Sequence, residues 1–403
     1  MKFLLILLFV VQTLAIVSKK GIYARNSTCP TTPTNLVLTN QTTLPDPFTF
    51  LSGSPVTTLS DWKCRQDEIS SLMQTYELGT KPPKPSIVTA AFTEVSASTY
   101  SLTIGCTEGT KTVSFSVTIT YQSTPGPSPY PAIIAYGGAS IPVPATAAII
   151  TFNNDIIAAE NDQSSRGVGI FYDLYGATAS AGATMAWAWG VSRIIDALEM
   201  TPAANIDTTK IGVTGCSRDG KGALVAGAFD ERIALTIPQE SGSGGSACWR
   251  LSDAMMTAGQ DVQTASEIVR ENVWFSPTFT NYSNSVDLLP FDHHLLAALV
   301  APRGLLVIEN AAYLWLGPWS CYGCMMSAKT IWTAMGVPDN MGFSEVGNHS
   351  HCAFPAVQQP TLLAFIDKFL LGRPANTSNV MDYDFGEPFN ATQWANWATP
   401  TLM

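Results

Sequence analysis

The sequence feature that most constrains the fold is the run 215–223, which reads GCSRDGKGA. It follows a β-branched stretch at 210–214 and leads into small apolar residues at helical spacing, so the pattern predicts a strand, a tight turn and a helix. Such a nucleophile elbow holds a serine hydroxyl out from the sheet edge, where the free N–H groups of the helix N-terminus favour an oxyanion. Ser217 is therefore the candidate nucleophile. In the usual G-x-S-x-G motif the second glycine comes one position earlier than Gly220 does here.

The rest of the chain alternates strand-like and helix-like segments. Continuous apolar runs, typical of strands covered on both faces, lie at 132–136, 148–152, 233–238 and 304–308. Helical periodicity is present at 62–78, 183–200, 325–335 and 360–371. Alternating apolar and polar residues at 100–104 and 112–121 indicate antiparallel edge strands. This order predicts an α/β fold, a three-layer sandwich with a mostly parallel central sheet and helices on both faces.

Composition excludes several classes of protein. With 46% hydrophobic and 13% charged residues, the chain has the content of a globular protein with a well-filled core. The net charge of −10 argues against a nucleic-acid or an anionic-membrane partner. We expect a monomer with one catalytic domain over 16–403.

The N-terminus predicts export. Residues 1–15 have a lysine near the start, an apolar stretch at 3–11 and small residues before a cleavage site near Ala15, as in a secretory signal peptide. A membrane anchor is the competing interpretation, but the apolar stretch is too short to span a bilayer. We therefore predict a secreted, extracellular protein with disulfides, and a glycosylated N-terminal segment at about 16–60. Glycosylation motifs lie at Asn26, Asn40, Asn281, Asn348, Asn376 and Asn390.

A serine hydrolase of this kind also needs a histidine base and an acid, in the chain order serine, acid, histidine. The base is His349 or His351, because His293 and His294 precede the last core strand and helix. A structural role is the better interpretation of that adjacent pair, since neighbouring helix positions do not point to one place.

Two carboxylates compete for the role of the acid. Glu309 follows the strand at 304–308, where the acid of many such hydrolases lies, and Glu240 follows the strand at 233–238. Either side chain could reach the histidine across the carboxyl edge of the sheet. Topology alone slightly favours Glu309.

Six segments carry a more specific pattern. They lie at 185–193, 215–223, 238–242, 289–294, 315–318 and 351–354. Taken in order, they closely resemble the fungal glucuronoyl esterases, and the similarity covers nearly the whole expected mature chain. These are carbohydrate esterases of α/β-hydrolase fold that cleave esters between the glucuronic acid branches of xylan and lignin alcohols.

The resemblance implies roles for four residues. Ser217 would be the nucleophile, His351 the base and Glu240 the acid, in place of the topological preference for Glu309. Arg218 would stabilise the oxyanion, and charge-assisted donors suit that role because they strengthen as negative charge develops. The alternative for Arg218 is an ordinary surface arginine.

The resemblance also implies a sugar site and three disulfides. The positions that match sugar contacts are Lys221, Gln263, Glu271 and Trp315. Lys221 could instead be a surface lysine at a helix start. The implied disulfides are Cys29–Cys64, Cys216–Cys352 and Cys248–Cys324, of which the second would tie the elbow to the loop that carries the base. Cys106 and Cys321 are left over, either paired or free. No metal or cofactor is expected.

Three places depart from the family pattern. Asp219 stands where asparagine is usual, and its carboxylate is expected to damp the positive field of Arg218 and Lys221. The segment 311–314 differs from the acidic pattern expected before Trp315. Asn348 lies in the loop of the predicted base, where a glycan would block the cleft, so we expect it to be unmodified.

The sequence-based hypothesis is a secreted serine esterase acting on the ester between the glucuronic acid of glucuronoxylan and lignin alcohols. Two alternatives remain open at this point. One is a secreted esterase for another polysaccharide acyl group, acetyl or feruloyl. The other is a non-catalytic carbohydrate-binding derivative of the fold, which has no need of the serine, acid, histidine and arginine together.

Overall fold

The computed structural model describes residues 29–30, 36–122 and 128–403, and in these ranges ten strands form one sheet. In chain order the strands are β1 (Ile87–Ser96), β2 (Thr99–Glu108), β3 (Lys111–Tyr121), β4 (Tyr130–Tyr136), β5 (Ala148–Phe152), β6 (Ile206–Cys216), β7 (Ile233–Gln239), β8 (Gly304–Asn310), β9 (Met341–Val346) and β10 (Met381–Asp382). Their spatial order is β1-β2-β3-β5-β4-β6-β7-β8-β9-β10. The pairs from β1 to β3, and β3 with β5, are antiparallel, whereas every pair from β5 to β10 is parallel.

Helices connect the parallel strands. The α-helices are α1 (Leu59–Met73), α2 (Ile170–Tyr175), α3 (Ala183–Glu199), α4 (Arg218–Phe229), α5 (Trp249–Thr257), α6 (Ala265–Glu271), α7 (His293–Ala298), α8 (Pro318–Ala334), α9 (Gln359–Phe369) and α10 (Ala391–Trp394). A π-helical turn, Gln74–Leu78, extends α1. Short 3-10 turns lie at Gln163–Ser165, Pro202–Ala204, Pro277–Asn281, Val286–Leu288, Leu314–Leu316, Pro338–Asn340 and Ala356–Gln358.

The sheet separates two layers of apolar side chains. Successive residues of a strand point to opposite faces, so Ile133 of β4 packs with Phe365 of α9, whereas its neighbour Ile134 belongs to the larger cluster on the other face. The larger cluster contains the fully buried Trp187 and Trp189 of α3. The predicted three-layer α/β fold, with a mostly parallel sheet and helices on both faces, is confirmed.

The described residues 29–30 and 36–58 are tied to this core although they carry little regular structure. The disulfide Cys29–Cys64 joins them to α1, and Phe48 and Phe50 are buried in the larger cluster. The predicted signal peptide 1–15 and the motif at Asn26 lie outside the described residues. The other glycosylation motifs have exposed asparagines, at Asn40, Asn281, Asn348, Asn376 and Asn390.

Among the residues in the described ranges, no helix combines the length and the apolar character needed to cross a bilayer.

Candidate active site

Ser217 lies at a strained turn between β6 and α4. Its φ of 62° is in the left-handed region, which costs energy for a residue with a side chain and persists only where the surroundings hold it. The Ser217 N–H donates to the carbonyl of Gln239 at 2.9 Å. A Cβ on Gly220 would lie 2.6 Å from that same carbonyl oxygen. The late glycine therefore allows α4 to pack closely against the end of β7, which holds the elbow.

His351 and Glu240 are hydrogen-bonded to each other. The distance from His351 Nδ1 to Glu240 Oε2 is 2.8 Å, and the Glu240 side chain is fully buried. His351 and Ser217 line the same cavity, of about 590 Å³. His351 Nε2 is shielded from solvent and has no hydrogen-bond partner among the described residues. The ring nitrogen opposite the carboxylate is thus free to accept a proton inside this cavity.

The surroundings of Glu240 favour its ionised form. Although burial raises the pKa of Glu240, its pKa is lowered overall by hydrogen bonds from His351, the Cys352 N–H and Asn310. The Cys352 N–H lies 3.0 Å and Asn310 Nδ2 lies 3.2 Å from Oε2. Asn310 immediately follows Glu309 at the end of β8, which is the only signal in the sequence that could have pointed to it.

Glu309 turns away from the histidines to the segment that follows Glu240. Its Oε1 accepts hydrogen bonds from the N–H and hydroxyl of Ser241, the N–H of Gly242 and the hydroxyl of Ser246. Burial, together with the charge of Glu240, raises the pKa of Glu309 to about 7. The topological preference for Glu309 thus points to a carboxylate that holds a backbone segment.

His349 lies beside the same acid without the closer contact. Its Nδ1 is 3.8 Å from Glu240 Oε1 and 3.2 Å from Asn310 Nδ2, whereas its Nε2 is 3.2 Å from the Val346 carbonyl. Both ring nitrogens therefore face protein groups. Of the two histidines left open by the sequence, the structure brings His351 to the cavity that contains Ser217.

The adjacent pair His293 and His294 is buried at the start of α7, away from this cavity. His293 Nε2 is 2.6 Å from Glu77 Oε1, and His293 Nδ1 is 2.7 Å from the Gly245 carbonyl. His294 Nε2 is 2.8 Å from the Pro45 carbonyl. These contacts join α7 to three other segments, in keeping with the structural interpretation.

The described residues contain the three implied disulfides. Cys216–Cys352 joins residues 136 positions apart and connects the residue before Ser217 to the residue after His351. Cys248–Cys324 links α5 to α8, and Cys106 and Cys321 are buried and free. One cluster of potential metal ligands, Cys216, His351 and Cys352, is found in the described part of the chain. Because its two sulfur atoms are bonded to each other, they are not available as thiolate ligands.

Arg218 extends into the cavity and is held from behind by Glu160. Its Nε lies 2.9 Å from Glu160 Oε1, and its side chain is 55% exposed, which leaves the rest of the guanidinium accessible. Glu160 is itself buried and accepts a hydrogen bond from Trp274 Nε1 at 2.7 Å. Glu160 belongs to no motif, so this contact could not be predicted from the sequence.

Asp219 also lines the cavity, but it makes no ion pair within the described structure to Arg218 or Lys221. Its Oδ1 accepts a hydrogen bond from Asn154 Nδ2 at 2.9 Å. Burial raises the pKa of Asp219 to about 6, against the lowering effects of Asn154 and Arg218. The carboxylate therefore faces β4 and β5. The weakening of the positive field of Arg218 and Lys221 that the sequence predicts is not supported by a direct contact.

Three of the predicted sugar-binding residues line a second cavity, of about 440 Å³. Gln263 Nε2 donates to Glu271 Oε2 at 2.7 Å, and Trp315 lines the same cavity. The Trp315 ring is also in edge-to-face contact with His351, with 4.9 Å between the ring centroids. Trp315 thus stands between the two cavities.

Lys221, the fourth, is buried rather than a surface lysine, and it is absent from the described lining of both cavities. Its Nζ donates to the Ser241 carbonyl at 2.6 Å and lies 5.4 Å from the ring centroid of Trp274. Burial lowers the pKa of Lys221 to about 8, although Glu309 and Glu271 oppose that shift.

Tyr313 is a contact that the sequence did not predict. It lies in the segment 311–314 that departs from the family pattern, and its hydroxyl accepts a hydrogen bond from the His351 N–H at 3.1 Å. Its ring also contacts Trp315, with 6.0 Å between centroids. The departure therefore supplies support for the histidine loop.

Comparisons with known proteins identify the family of this chain. The family described as glucuronyl esterase, fungi, matches residues 104–336. A 4-O-methyl-glucuronoyl methylesterase of Hypocrea jecorina is 58% identical over 94% of this chain and 80% of its own length. One of Phanerochaete carnosa is 52% identical over 100% of this chain and 99% of its own.

Comparisons with solved structures lead to the same family. The catalytic domain of the glucuronoyl esterase of Hypocrea jecorina has a TM-score of 0.88 and 57% identity, covering 92% of this chain and all of that one. A glucuronoyl esterase of Sporotrichum thermophile, with its serine replaced by alanine and methyl 4-O-methyl-beta-D-glucopyranuronate bound, has a TM-score of 0.88 and 50% identity, covering 94% of this chain and all of that one.

Proposed function

This chain belongs to the fungal glucuronoyl esterases, and we propose that it hydrolyses esters between the (4-O-methyl-)glucuronic acid of glucuronoxylan and lignin alcohols. The observation that carries the proposal is the contact of Trp315 with His351. It joins a cavity containing a serine, a histidine and an arginine to a second cavity lined by hydrogen-bonding groups and an aromatic ring, which suits a sugar.

The reaction proceeds in two steps through a covalent intermediate. His351 Nε2 removes the proton of the Ser217 hydroxyl, and the serine oxygen attacks the C6 carbonyl carbon of the glucuronate. Glu240 holds the ring through Nδ1 and stabilises the imidazolium that forms. The tetrahedral intermediate then collapses, the C–O bond to the alcohol breaks, and the imidazolium gives its proton to the leaving alcohol oxygen.

The second step releases the acid. His351 removes a proton from water, the hydroxide attacks the glucuronoyl-serine ester, and the proton returns to the Ser217 oxygen as it leaves. Arg218 donates hydrogen bonds to the oxyanion in both steps. Its contact with Glu160 fixes the guanidinium before the charge develops, so that little reorganisation is needed.

The sugar is held on the other side of His351. Gln263 and Glu271 are hydrogen-bonded to each other and offer donors and acceptors to hydroxyl groups, and the Trp315 ring offers a face to the pyranose. Lys221 acts indirectly, because its ammonium group donates a hydrogen bond to the carbonyl of Ser241, the residue after Glu240. The disulfide Cys216–Cys352 fixes the separation of the elbow and the histidine loop.

We also propose that the protein is exported and acts outside the cell as a monomer. The signal-peptide pattern at 1–15, the disulfides and the exposed glycosylation motifs support this location.

The test is a panel of esters on the purified protein: benzyl glucuronate, its 4-O-methyl derivative, an acetylated xylan and a feruloylated sugar. We expect hydrolysis of the glucuronates with the highest kcat/KM, and its loss in Ser217→Ala with binding to glucuronoxylan retained. Faster hydrolysis of the acetyl or feruloyl esters would contradict the proposal. Unchanged ester hydrolysis in Ser217→Ala would contradict the assigned nucleophile.

A further inference from the structure

The catalytic cavity contains a carboxylate that the proposed mechanism does not use. Asp219 lies two residues after Ser217 and lines the cavity together with Ser217, His351 and the turn after β4 that begins at Gly137. Asp219 Oδ1 is engaged by Asn154. Asp219 Oδ2 faces the turn, since a Cβ placed on Gly137 would lie 3.4 Å from it.

The position of this carboxylate relative to the substrate follows from the two cavities. Three groups diverge from the carbonyl carbon bound to Ser217: the carbonyl oxygen, the sugar and the alcohol. The proposed function places the oxygen at Arg218 and the sugar in the cavity beside Trp315. The alcohol must then occupy the cavity that Asp219 lines.

We propose that Asp219 determines the preference for the alcohol, by accepting a hydrogen bond from a second hydroxyl group that the alcohol carries near the ester oxygen. The inference rests on the proposed function, because it needs the sugar on the Trp315 side. An ionised carboxylate accepts hydrogen bonds and donates none. It therefore stabilises a bound hydroxyl group but not an alkyl group at the same position. The favoured substrates are esters of hydroxylated phenylpropanoid alcohols.

The test compares two glucuronate esters that differ by one oxygen: the 3-hydroxy-2-phenylpropyl ester and the 2-phenylpropyl ester. We expect the ratio of their kcat/KM values to favour the hydroxylated ester by roughly three- to tenfold, the range for a partly solvated hydrogen bond to a charged acceptor. In Asp219→Asn the ratio should fall towards one. The amide oxygen of the new side chain can still accept from Asn154, so the elbow keeps its contact.

The matched control is Asp173→Asn, which makes the same change of charge at an exposed residue that does not line the cavity. The ratio should be unchanged in this variant. A ratio unchanged in Asp219→Asn, or equal changes for both esters, would overturn the proposal, because the carboxylate would then act on a step common to all substrates. If the wild-type protein hydrolyses neither ester nor benzyl glucuronate, the proposed function is what fails.

A pH series on the wild-type protein tests the same point without a substitution. As the pH falls through about 6, Asp219 gains a proton and loses its charge, so the ratio should decline. The other ionisable groups around it are Tyr136, Asp155, Glu160, Arg218 and His351. A change in rate that is common to both esters cancels in the ratio. A ratio that is constant from pH 5 to pH 8 would contradict the assignment.

Discussion

Glu240 follows β7 and Glu309 lies near the end of the neighbouring strand β8, yet the two side chains hold different partners. Glu240 accepts hydrogen bonds from His351, Cys352 and Asn310, whereas Glu309 accepts four from Ser241, Gly242 and Ser246. The first orients a ring that must move a proton. The second compensates a backbone segment, whose donors would otherwise be unpaired.

Replacing each acid by its amide separates these roles. Glu240→Gln should lower kcat on benzyl glucuronate by roughly a hundredfold or more, because the imidazolium loses its counter-charge. Glu309→Gln should retain turnover within about tenfold, since its amide oxygen still accepts from the Ser241 and Gly242 N–H groups. The reverse pattern, with turnover lost only in Glu309→Gln, would show that the wrong carboxylate was assigned.

Glu160 acts at the same scale, through Arg218. If its function is to position the guanidinium, Glu160→Gln should lower kcat by about tenfold and Arg218→Ala by about a hundredfold. The double variant should then equal Arg218→Ala alone, because a positioning residue has nothing left to position. Additive losses in this cycle would contradict the role. Glu231→Gln is the control, since it breaks a surface ion pair with Lys63 beyond the end of α4 that is opposite the elbow.

At the scale of elements, the parallel strands β8 and β9 bring two buried carboxylates together. Glu309 and Glu345 are direct partners in the register, so their side chains lie on the same face of the sheet. One oxygen of each is buried without a partner among the described residues. Burial, with the charge of Glu309, raises the pKa of Glu345 to about 8. This pair is a place where the fold holds protons that the unfolded chain would release.

Glu345→Gln should therefore flatten the dependence of stability on pH. Between the ordinary glutamate pKa of 4.5 and the pKa of about 8 in the fold, Glu345 binds more protons in the folded state than in the unfolded state, so the free energy of unfolding falls as the pH rises through this range. We expect the melting temperature to fall less between pH 5 and pH 8 in the variant than in the wild type, by about 2 °C or more. The exposed Glu94→Gln is the control. Parallel curves for all three proteins would contradict the prediction.

The same elements show what the sequence could and could not predict. The elbow is local, so the strand, turn and helix around Ser217 follow from residues close in the chain. The assignment of the acid to Glu240 or Glu309 cannot be made from local sequence, because each residue lies at the end of a buried strand. Along β8, successive side chains alternate, so Asn310 reaches Glu240 and Glu309 turns to the other side. A one-residue difference in register decides this, and apolar patterns do not fix it.

Contacts between distant segments could not be predicted from the sequence. Glu160 meets Arg218 only because the loop after β5 packs beside α4, and Tyr313 meets the His351 N–H across the edge of the sheet. The strand β1 is not apparent from the sequence because exposed apolar residues, Ile87 and Val95 among them, interrupt the apolar–polar alternation that marks a half-buried strand. The resemblance to a family supplied what periodicity could not: the proposed acid, the proposed base and the three disulfides.

At the scale of the whole molecule, the described residues 36–58 and the C-terminal residues are tied into the same core. In the N-terminal segment, the Leu44 N–H donates to the Trp394 carbonyl at 2.9 Å, so residues from opposite ends of the chain are paired. Near the C-terminus, the Leu402 N–H donates to the Ala334 carbonyl at 2.8 Å. The sheet is the middle layer, and each of the two apolar clusters includes side chains from its strands. No described segment has a core of its own that it could keep if the sheet melted.

The protein should therefore unfold as one domain over 16–403. With its disulfides intact, we expect a single calorimetric transition, with a ratio of calorimetric to van't Hoff enthalpy of about one. Tryptophan fluorescence and far-ultraviolet circular dichroism should give the same midpoint, because Trp187 and Trp189 are buried on the helix that covers the sheet. Two separated transitions would contradict a single domain. Reducing the disulfides should lower the midpoint while the transition stays single, since the cross-links act mainly on the unfolded chain.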